Sequence, residues 1–231
     1  MVNSIGIIPA RGGSVGVKRK NIRIVGGIPL INYSIKAAKK SEYLTDFFVS
    51  TEDQYIADIA REAGAKIIDR PKEIAENDTP MFPILLHAMD YLNELFDYSI
   101  DQLVLLQPTT PLRTEDDIDK SIKTINTSNA DTLISVYEVE DTHPSRMYTI
   151  VKNRLIPYAE EPRGSLRQDL PSVFHRNGAI YIVKTGILVN KKSIIGDKII
   201  PYVMPRSRSI NIDDEYDLQV ADLLLSDSKD L

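Results

Sequence analysis

Short apolar runs that alternate with stretches of three-and-four spacing constrain this chain more than any other feature. Ser4 to Ala10, Phe47 to Thr51, Lys66 to Asp69, Leu103 to Gln107 and Thr132 to Val136 are aliphatic or β-branched and bounded by turn residues, as buried strands are. Between them, Pro29 to Lys40, Asp53 to Ala63, Pro80 to Phe96 and Glu115 to Asn126 repeat apolar residues at helical spacing. The alternation predicts an α/β fold: a doubly wound, mostly parallel sheet with right-handed crossovers and helices on both faces. Helix punctuation agrees, with Thr114 ahead of Glu115-Asp116-Asp117 and Gly64 behind Ala63.

The pattern loosens from about 138 to 176, where Pro144, Pro157, Pro162, Gly164 and Pro171 interrupt it. Such a segment reads as a long excursion or as an arm that packs on something else. Strand character resumes at Ala179 to Val183, and Glu215 to Leu225 reads as a closing amphipathic helix. The expectation is one domain over 1–231 with the excursion inserted in it.

Charge narrows the function. Lys and Arg number 28 against 33 Asp and Glu, a net charge of -5, so general affinity for nucleic acid or anionic lipid is not expected. Cysteine is absent, which excludes disulfides and thiol catalysis, and His87, His143 and His175 are scattered. The start MVNSIGII lacks a basic leader, and no run approaches the roughly 18 apolar residues a membrane helix needs. A cytoplasmic protein without membrane partners is the expectation.

Against that acidic background PARGGSVGVKRKN, residues 9–21, gathers Gly12, Gly13 and Gly16 with Arg11, Lys18, Arg19 and Lys20 directly behind the first strand. Ligands of doubly wound sheets bind beyond the carboxyl ends of the strands, and glycines let backbone N–H groups face a phosphate. A solvated basic loop is the plainer reading. The spacing fits neither a Gly-x4-Gly-Lys-Ser/Thr loop nor Gly-x-Gly-x-x-Gly.

LLQPTTPLR, Leu105 to Arg113, follows the fourth strand, and its prolines would present Gln107, Thr109, Thr110 and Arg113 at the same sheet edge. Alone it is a stiffened turn; two such loops on one edge make a pocket. In SINIDDEYD, Ser209 to Asp217, an extended backbone puts Asn211 and Asp213 on one face, where they could hold Mg²⁺. The competing reading is N-capping by Asp213 or Asp214, with Asp217 merely solvated.

Taken together these stretches resemble the acylneuraminate cytidylyltransferases, the CMP-sialic acid and CMP-nonulosonic acid synthetases. Ala10-Arg11-Gly12-Gly13-Ser14-Val15-Gly16 with Lys20-Asn21 matches the family's opening motif. VSTED at Val49 to Asp53, RPKEIA at Arg70 to Ala75, DTP at Asp78 to Pro80, LLQPTTPLR, RQDLP at Arg167 to Pro171, NGAIY at Asn177 to Tyr181 and SINID follow in order.

The resemblance implies a Rossmann-like nucleotidyltransferase that moves CMP from CTP to the anomeric hydroxyl of a nonulosonic acid of sialic, legionaminic or pseudaminic type, with Mg²⁺ required. It implies catalytic roles for Arg11, Lys20 and Asp213. Nucleotide contacts would come from Ala10, Arg11, Gly12, Gly13, Ser14, Lys20, Asn21, Arg70, Asp78, Thr79 and Pro80. Sugar contacts would come from Gln107, Arg146, Arg167, His175, Arg176 and Tyr181, and the metal from Asp213 with Asn211. It also implies a homodimer whose arm, about 138–176, reaches the neighbouring site.

Three departures mark this chain. Val15 stands where the family has lysine, with Lys18 replacing its proline; Asn211 replaces an aspartate; and His175 takes an arginine position with Arg176 one residue later. These keep open a CTP-binding relative with impaired catalysis. A cytidylyltransferase for an eight-carbon 3-deoxy sugar acid is the other alternative, and the Gly-Gly-Ser opening argues against it.

Overall fold

The computed structural model describes residues 2–14, 16–160 and 170–227, which leaves the expectations for Val15 and Arg167 outside the described residues. In chain order the elements are β1 (Ser4–Pro9), β2 (Ile24–Val25), β3 (Ile28–Pro29), α1 (Leu30–Lys40), β4 (Asp46–Thr51), α2 (Gln54–Glu62), β5 (Lys66–Asp69), α3 (Met81–Leu95) and β6 (Gln102–Leu105). There follow α4 (Glu115–Asn126), β7 (Thr132–Glu138), β8 (Tyr148–Val151), β9 (Arg154–Pro157), β10 (Phe174–Lys184), α5 (Thr185–Lys191), β11 (Ile199–Val203) and α6 (Glu215–Asp227).

β1 lies at the middle of the main sheet because its side chains are apolar in both directions. Ile5 and Ile7 point into one core, Ile8 into the other, and all three are fully buried. The strand order is β5-β4-β1-β6-β10-β7-β11. α1, α2 and α4 cover one face through Ile31, Ile35, Ile56, Ile118 and Ile122. α3 and α5 cover the other through Leu85, Ala88, Leu92 and Leu188. Burying each of the Ile and Leu side chains contributes about 1.5–3 kcal/mol before entropy, so truncating one at the sheet centre would loosen the helix layer on the face it points to.

The parallel reading holds for every strand of this sheet but β10, which runs antiparallel between β6 and β7. The chain reaches β10 from β7 through the excursion rather than through a crossover helix, and a parallel neighbour would have needed such a crossover. The register between β7 and β10 shifts between Arg176 and Tyr181, where Gly178 takes φ +76°. Asn177 stabilises that irregularity: its Oδ1 accepts from the Ala179 N–H at 3.1 Å and its Nδ2 donates to Ser209 Oγ at 2.9 Å.

Two smaller features matter for the site. α6 packs on Val17, Val25, Leu30 and Ile212, which ties the far end of the glycine-rich loop to the segment preceding α6. Inside the excursion, β8 and β9 form a separate hairpin whose Ile150, Leu155 and Tyr158 are exposed, Ile150 by 75 %. Among the described residues nothing covers that apolar face.

Candidate active site

β1 is flanked by β4 on one side and β6 on the other, so the chain leaves the sheet centre in both directions. A crevice opens where the connections diverge. The crevice holds a cavity of about 430 Å³. The turn after β1 contributes Arg11, Ser14, Gly16, Lys20 and Asn21; the turn after β5 contributes Arg70, Asn77 and Thr79; Gln107 and Thr109 follow β6; Asn211 and Asp213 precede α6.

The glycine-rich turn is pinned from beneath. Gly12 N–H donates to Glu52 Oε1 at 2.7 Å, and a Cβ at Gly12 would collide with the Asp53 side chain, which caps α2 through the N–H groups of Tyr55 and Ile56. Asn21 Nδ2 donates to the Arg11 carbonyl at 3.0 Å, and the Arg11 guanidinium donates to the Glu76 carbonyl at 2.9 Å. That last bond closes the turn after β1 against the turn after β5 and leaves most of the guanidinium's donors for a ligand.

Arg70 lies deeper, only 5 % exposed, with Nε on Ser50 Oγ and Nη2 on the Ser50 carbonyl. Burial lowers its pKa to about 10, Glu52 opposing and Arg11 adding to the shift. It is therefore still a cation at neutral pH, fixed in place before any ligand arrives.

Lys20 joins the cationic side to the acidic one. Its Nζ donates to the Ile212 carbonyl at 2.6 Å and lies 3.7 Å from Asp213 Oδ1. Asp213 itself is mostly exposed, and Asn211 Nδ2 donates to its Oδ2 at 2.6 Å. That leaves the Asn211 side-chain carbonyl oxygen and Asp213 Oδ1, the latter beside Lys20 Nζ, on one face, as period-two alternation requires.

The capping alternative proves true of the neighbours. Asp214 Oδ1 accepts from the Asp217 N–H at 2.9 Å, and Asp217 Oδ2 accepts from the Asp213 and Asp214 N–H groups. Asp217 is thus a member of the cap rather than merely solvated, and the cap leaves the Asp213 carboxylate at the cavity.

Asn211 and Asp213 also line a second cavity, of about 760 Å³, on the other side of their segment. Tyr137, His175, Arg176 and Arg206 form its polar wall, and Val220 and Leu224 of α6 give it an apolar strip. His175 packs on the Tyr137 ring with centroids 5.5 Å apart. Arg206 carries no sequence signal, because it comes from a different element; only the fold brings it beside β10.

Some sequence candidates lie elsewhere. Ala10 is fully buried with its N–H on the Ser50 carbonyl, and Gly12, Gly13, Asp78 and Pro80 are neighbours of lining residues rather than lining ones. Thr110 and Arg113, expected at the sheet edge, are buried. Arg113 donates to the carbonyls of Gln107 and Ala179 and to Ser34 Oγ, so it shapes the turn that holds Gln107 in place. Burial lowers its pKa to about 10, Asp117 opposing.

Gln107 Oε1 faces Gly178, where a Cβ would come within 2.8 Å of it. Tyr181 is half-buried against the α3 side of the core, its phenol pKa raised by burial while Arg176 pulls against the shift. Arg146 sits on a short 3-10 turn, Pro144–Arg146, in the excursion and lines neither cavity. Lys18 is exposed and does not line the first cavity.

Residues 5–179 match a family model described as cytidylyltransferase. The chain is 28 % identical over 221 residues to "Post-translational flagellin modification protein B" of Campylobacter coli, covering 95 % of this chain and 94 % of that one. It is 30 % identical over 220 residues to the CMP-N,N'-diacetyllegionaminic acid synthase of Campylobacter jejuni subsp. jejuni, covering 95 % and 93 %. An N-acylneuraminate cytidylyltransferase of Escherichia coli is 30 % identical over 224 residues, 94 % of this chain but 51 % of that protein, so the chain spans about half of such longer relatives. In fold it resembles a CMP:2-keto-3-deoxy-manno-octonic acid synthetase solved with CTP, with TM-score 0.73, 16 % identity, and coverage of 99 % and 100 %.

Proposed function

The chain belongs to the cytidylyltransferase family, and from that premise we propose that it transfers CMP from CTP to the anomeric hydroxyl of a nonulosonic acid, releasing pyrophosphate. One observation carries the reading. In a chain of net charge -5, Arg11, Lys20 and Arg70 converge with Asp213 on one cavity at the switch point of the sheet.

In-line displacement at the α-phosphorus forms a bond from the anomeric oxygen, whose proton passes to water, and breaks the bond from that phosphorus to the oxygen bridging the α- and β-phosphates, which leaves with pyrophosphate. Negative charge then grows on the leaving pyrophosphate, so catalysis rests on fixed cations and on holding the two oxygens in line. Arg11 and Lys20, each anchored by one hydrogen bond to a carbonyl, meet the phosphates with little reorganisation. Arg70, Asn77 and Thr79 form the far wall, where a cytosine ring would lie. Gln107, held over Gly178, faces the junction with the acceptor.

The second cavity takes the sugar acid, its carboxylate toward Arg176 and Arg206, with His175 beside them. The shared wall of Asn211 and Asp213 then stands between nucleotide and acceptor, where the α-phosphate must lie. One carboxylate and one amide carbonyl suit Mg²⁺, which is commonly bound through one or two carboxylates plus substrate phosphates. Bound there, Mg²⁺ would act as a Lewis acid on the α-phosphate.

The exposed hairpin of β8 and β9 is read as the contact with a second copy, making the enzyme a homodimer that works in the cytoplasm. No helix among the described residues is long and apolar enough to cross a membrane. The test is calorimetric binding of CTP followed by pyrophosphate release with Mg²⁺ and N-acetylneuraminic, legionaminic and pseudaminic acids. CTP binding with silence across the panel would favour a binding-only relative and defeat the proposal.

A further inference from the structure

Asp117 is a carboxylate 1 % exposed at the start of α4, outside both cavities, and it holds more partners than a helix cap requires. Its Oδ2 accepts from the Thr114 N–H and from Thr114 Oγ1, both at 2.9 Å, and its own N–H returns to Thr114 Oγ1, which completes a capping box. The same carboxylate receives both arms of the Arg208 guanidinium, Nη2 on Oδ1 at 2.9 Å and Nη1 on Oδ2, and the Tyr202 hydroxyl at 3.1 Å.

Those donors come from three segments. Thr114 ends the turn that begins at Gln107 and forms one wall of the nucleotide cavity. Tyr202 is on β11. Arg208 ends the short 3-10 turn Arg206–Arg208, directly before the segment that carries Asn211 and Asp213. Nearer the cavity a second link joins the same two walls: Ile212 N–H donates to the Thr109 carbonyl at 2.8 Å. An interior carboxylate bridging two loops through a bidentate arginine fixes both angle and distance, which a single bond does not. Capping α4 would need Thr114 alone, and Arg208, with its side chain 34 % exposed, could have been solvated instead.

We propose that Asp117 and Arg208 are positioning residues that set the separation of the Gln107 wall from the Asp213 wall, and through it the alignment of the α-phosphate-binding face with the acceptor. The inference rests on the CMP-transfer reading. Its effect would fall on groups that must act together across the gap, Asp213 above all, and not on the Arg11 and Arg70 side of the cavity.

The test compares wild type with Asp117→Asn, Arg208→Gln and Arg208→Lys, each checked for folded fraction by circular dichroism. Calorimetry with CTP, first without and then with Mg²⁺, is the readout that needs no turnover. The metal-free affinity stays unchanged, while the tightening caused by Mg²⁺ shrinks by about tenfold, as when the outer support of a metal ligand is removed. Turnover by the folded fraction drops about 10- to 100-fold. Arg208→Lys, keeping the charge but not the fork, falls between wild type and Arg208→Gln.

If the variants melt earlier but their folded fractions keep wild-type Mg²⁺ dependence and kcat, the pair is structural and the proposal is overturned. Should Asp117→Asn fail to fold, the two Arg208 variants decide the matter in the same way. A wild type that binds CTP with Mg²⁺ yet transfers nothing would sink the functional reading alone, since the calorimetric comparison still reports on the two walls.

Discussion

Gly16 lies directly beneath the main chain of Asp213: a Cβ at position 16 would come closer than 3.0 Å to the Asp213 carbonyl oxygen. The third glycine of the basic turn is therefore a requirement of contact rather than of turn shape alone. It lets the cation-bearing loop and the carboxylate-bearing segment touch.

Gly16→Ala follows from that contact. Because the obstruction is backbone and not the end of a flexible side chain, one of the two segments must move, at a cost of about 1–3 kcal/mol. A lowered Tm together with weaker CTP binding by calorimetry is expected; an unchanged Tm would mean that the two segments do not meet as described.

Lys20→Met removes the cation that ties the two sides together, losing the bond to the Ile212 carbonyl and the charge 3.7 Å from Asp213. Steady-state kinetics should show kcat/KM lower by about 10²- to 10³-fold, the scale of losing one fixed donor at a site of developing charge.

Asp213→Asn and Asp217→Asn separate the two readings of the acidic cluster. Asp213 faces both cavities, so its amide variant should need at least about tenfold more Mg²⁺ for half-maximal activity. Asp217 holds the Asp213 and Asp214 N–H groups, which an amide oxygen can still accept, so its variant should lose less than about 1 kcal/mol of stability with a near-normal Mg²⁺ titration.

Asp117 also gives the protein a defined acid limb. Burial alone would raise its pKa, but the hydrogen bond from Arg208, the bonds from Thr114 and the Arg208 charge bring it below the ordinary aspartate value. Between the folded and unfolded values the unfolded chain binds more protons than the folded one. The stabilisation is therefore complete above the ordinary aspartate value of about 4 and disappears as pH falls through the lower, folded value. Thermal melts from pH 7 to 3 should show this decline in wild type and a flatter one in Asp117→Asn.

The sheet centre was legible because its strands are buried on both faces and need no partner to declare themselves. Lys66–Asp69 and Glu115–Asn126 appear in the structure with the bounds the sequence predicts. β11 was not legible: Pro201 sits inside it and its side chains alternate between exposed and half-exposed, so it carries little apolar signal at the sheet edge. α5, only seven residues long, was missed for the same lack of periodic signal.

At the site, Arg11, Lys20 and Asp213 could be singled out because each belongs to a local motif. Arg206 and the Asp117–Arg208 pair could not, since Arg206 matters only beside His175 and Arg176 of β10, and Arg208 only beside Asp117, 91 positions away. Conversely, Arg113 looked like a ligand residue because a cation beside a proline turn suggests one. Only the fold shows that carbonyls of β10 and its own turn engage its Nη1 and hold it in the interior.

The most direct test of the account is ³¹P NMR of wild-type protein with CTP, Mg²⁺ and the three nonulosonic acids in turn. With at least one acid the triphosphate resonances should give way to pyrophosphate and a single phosphodiester resonance of the CMP-sugar. Folded protein that binds CTP yet leaves the triphosphate intact with all three, or that yields free CMP in place of a CMP-sugar, would contradict it.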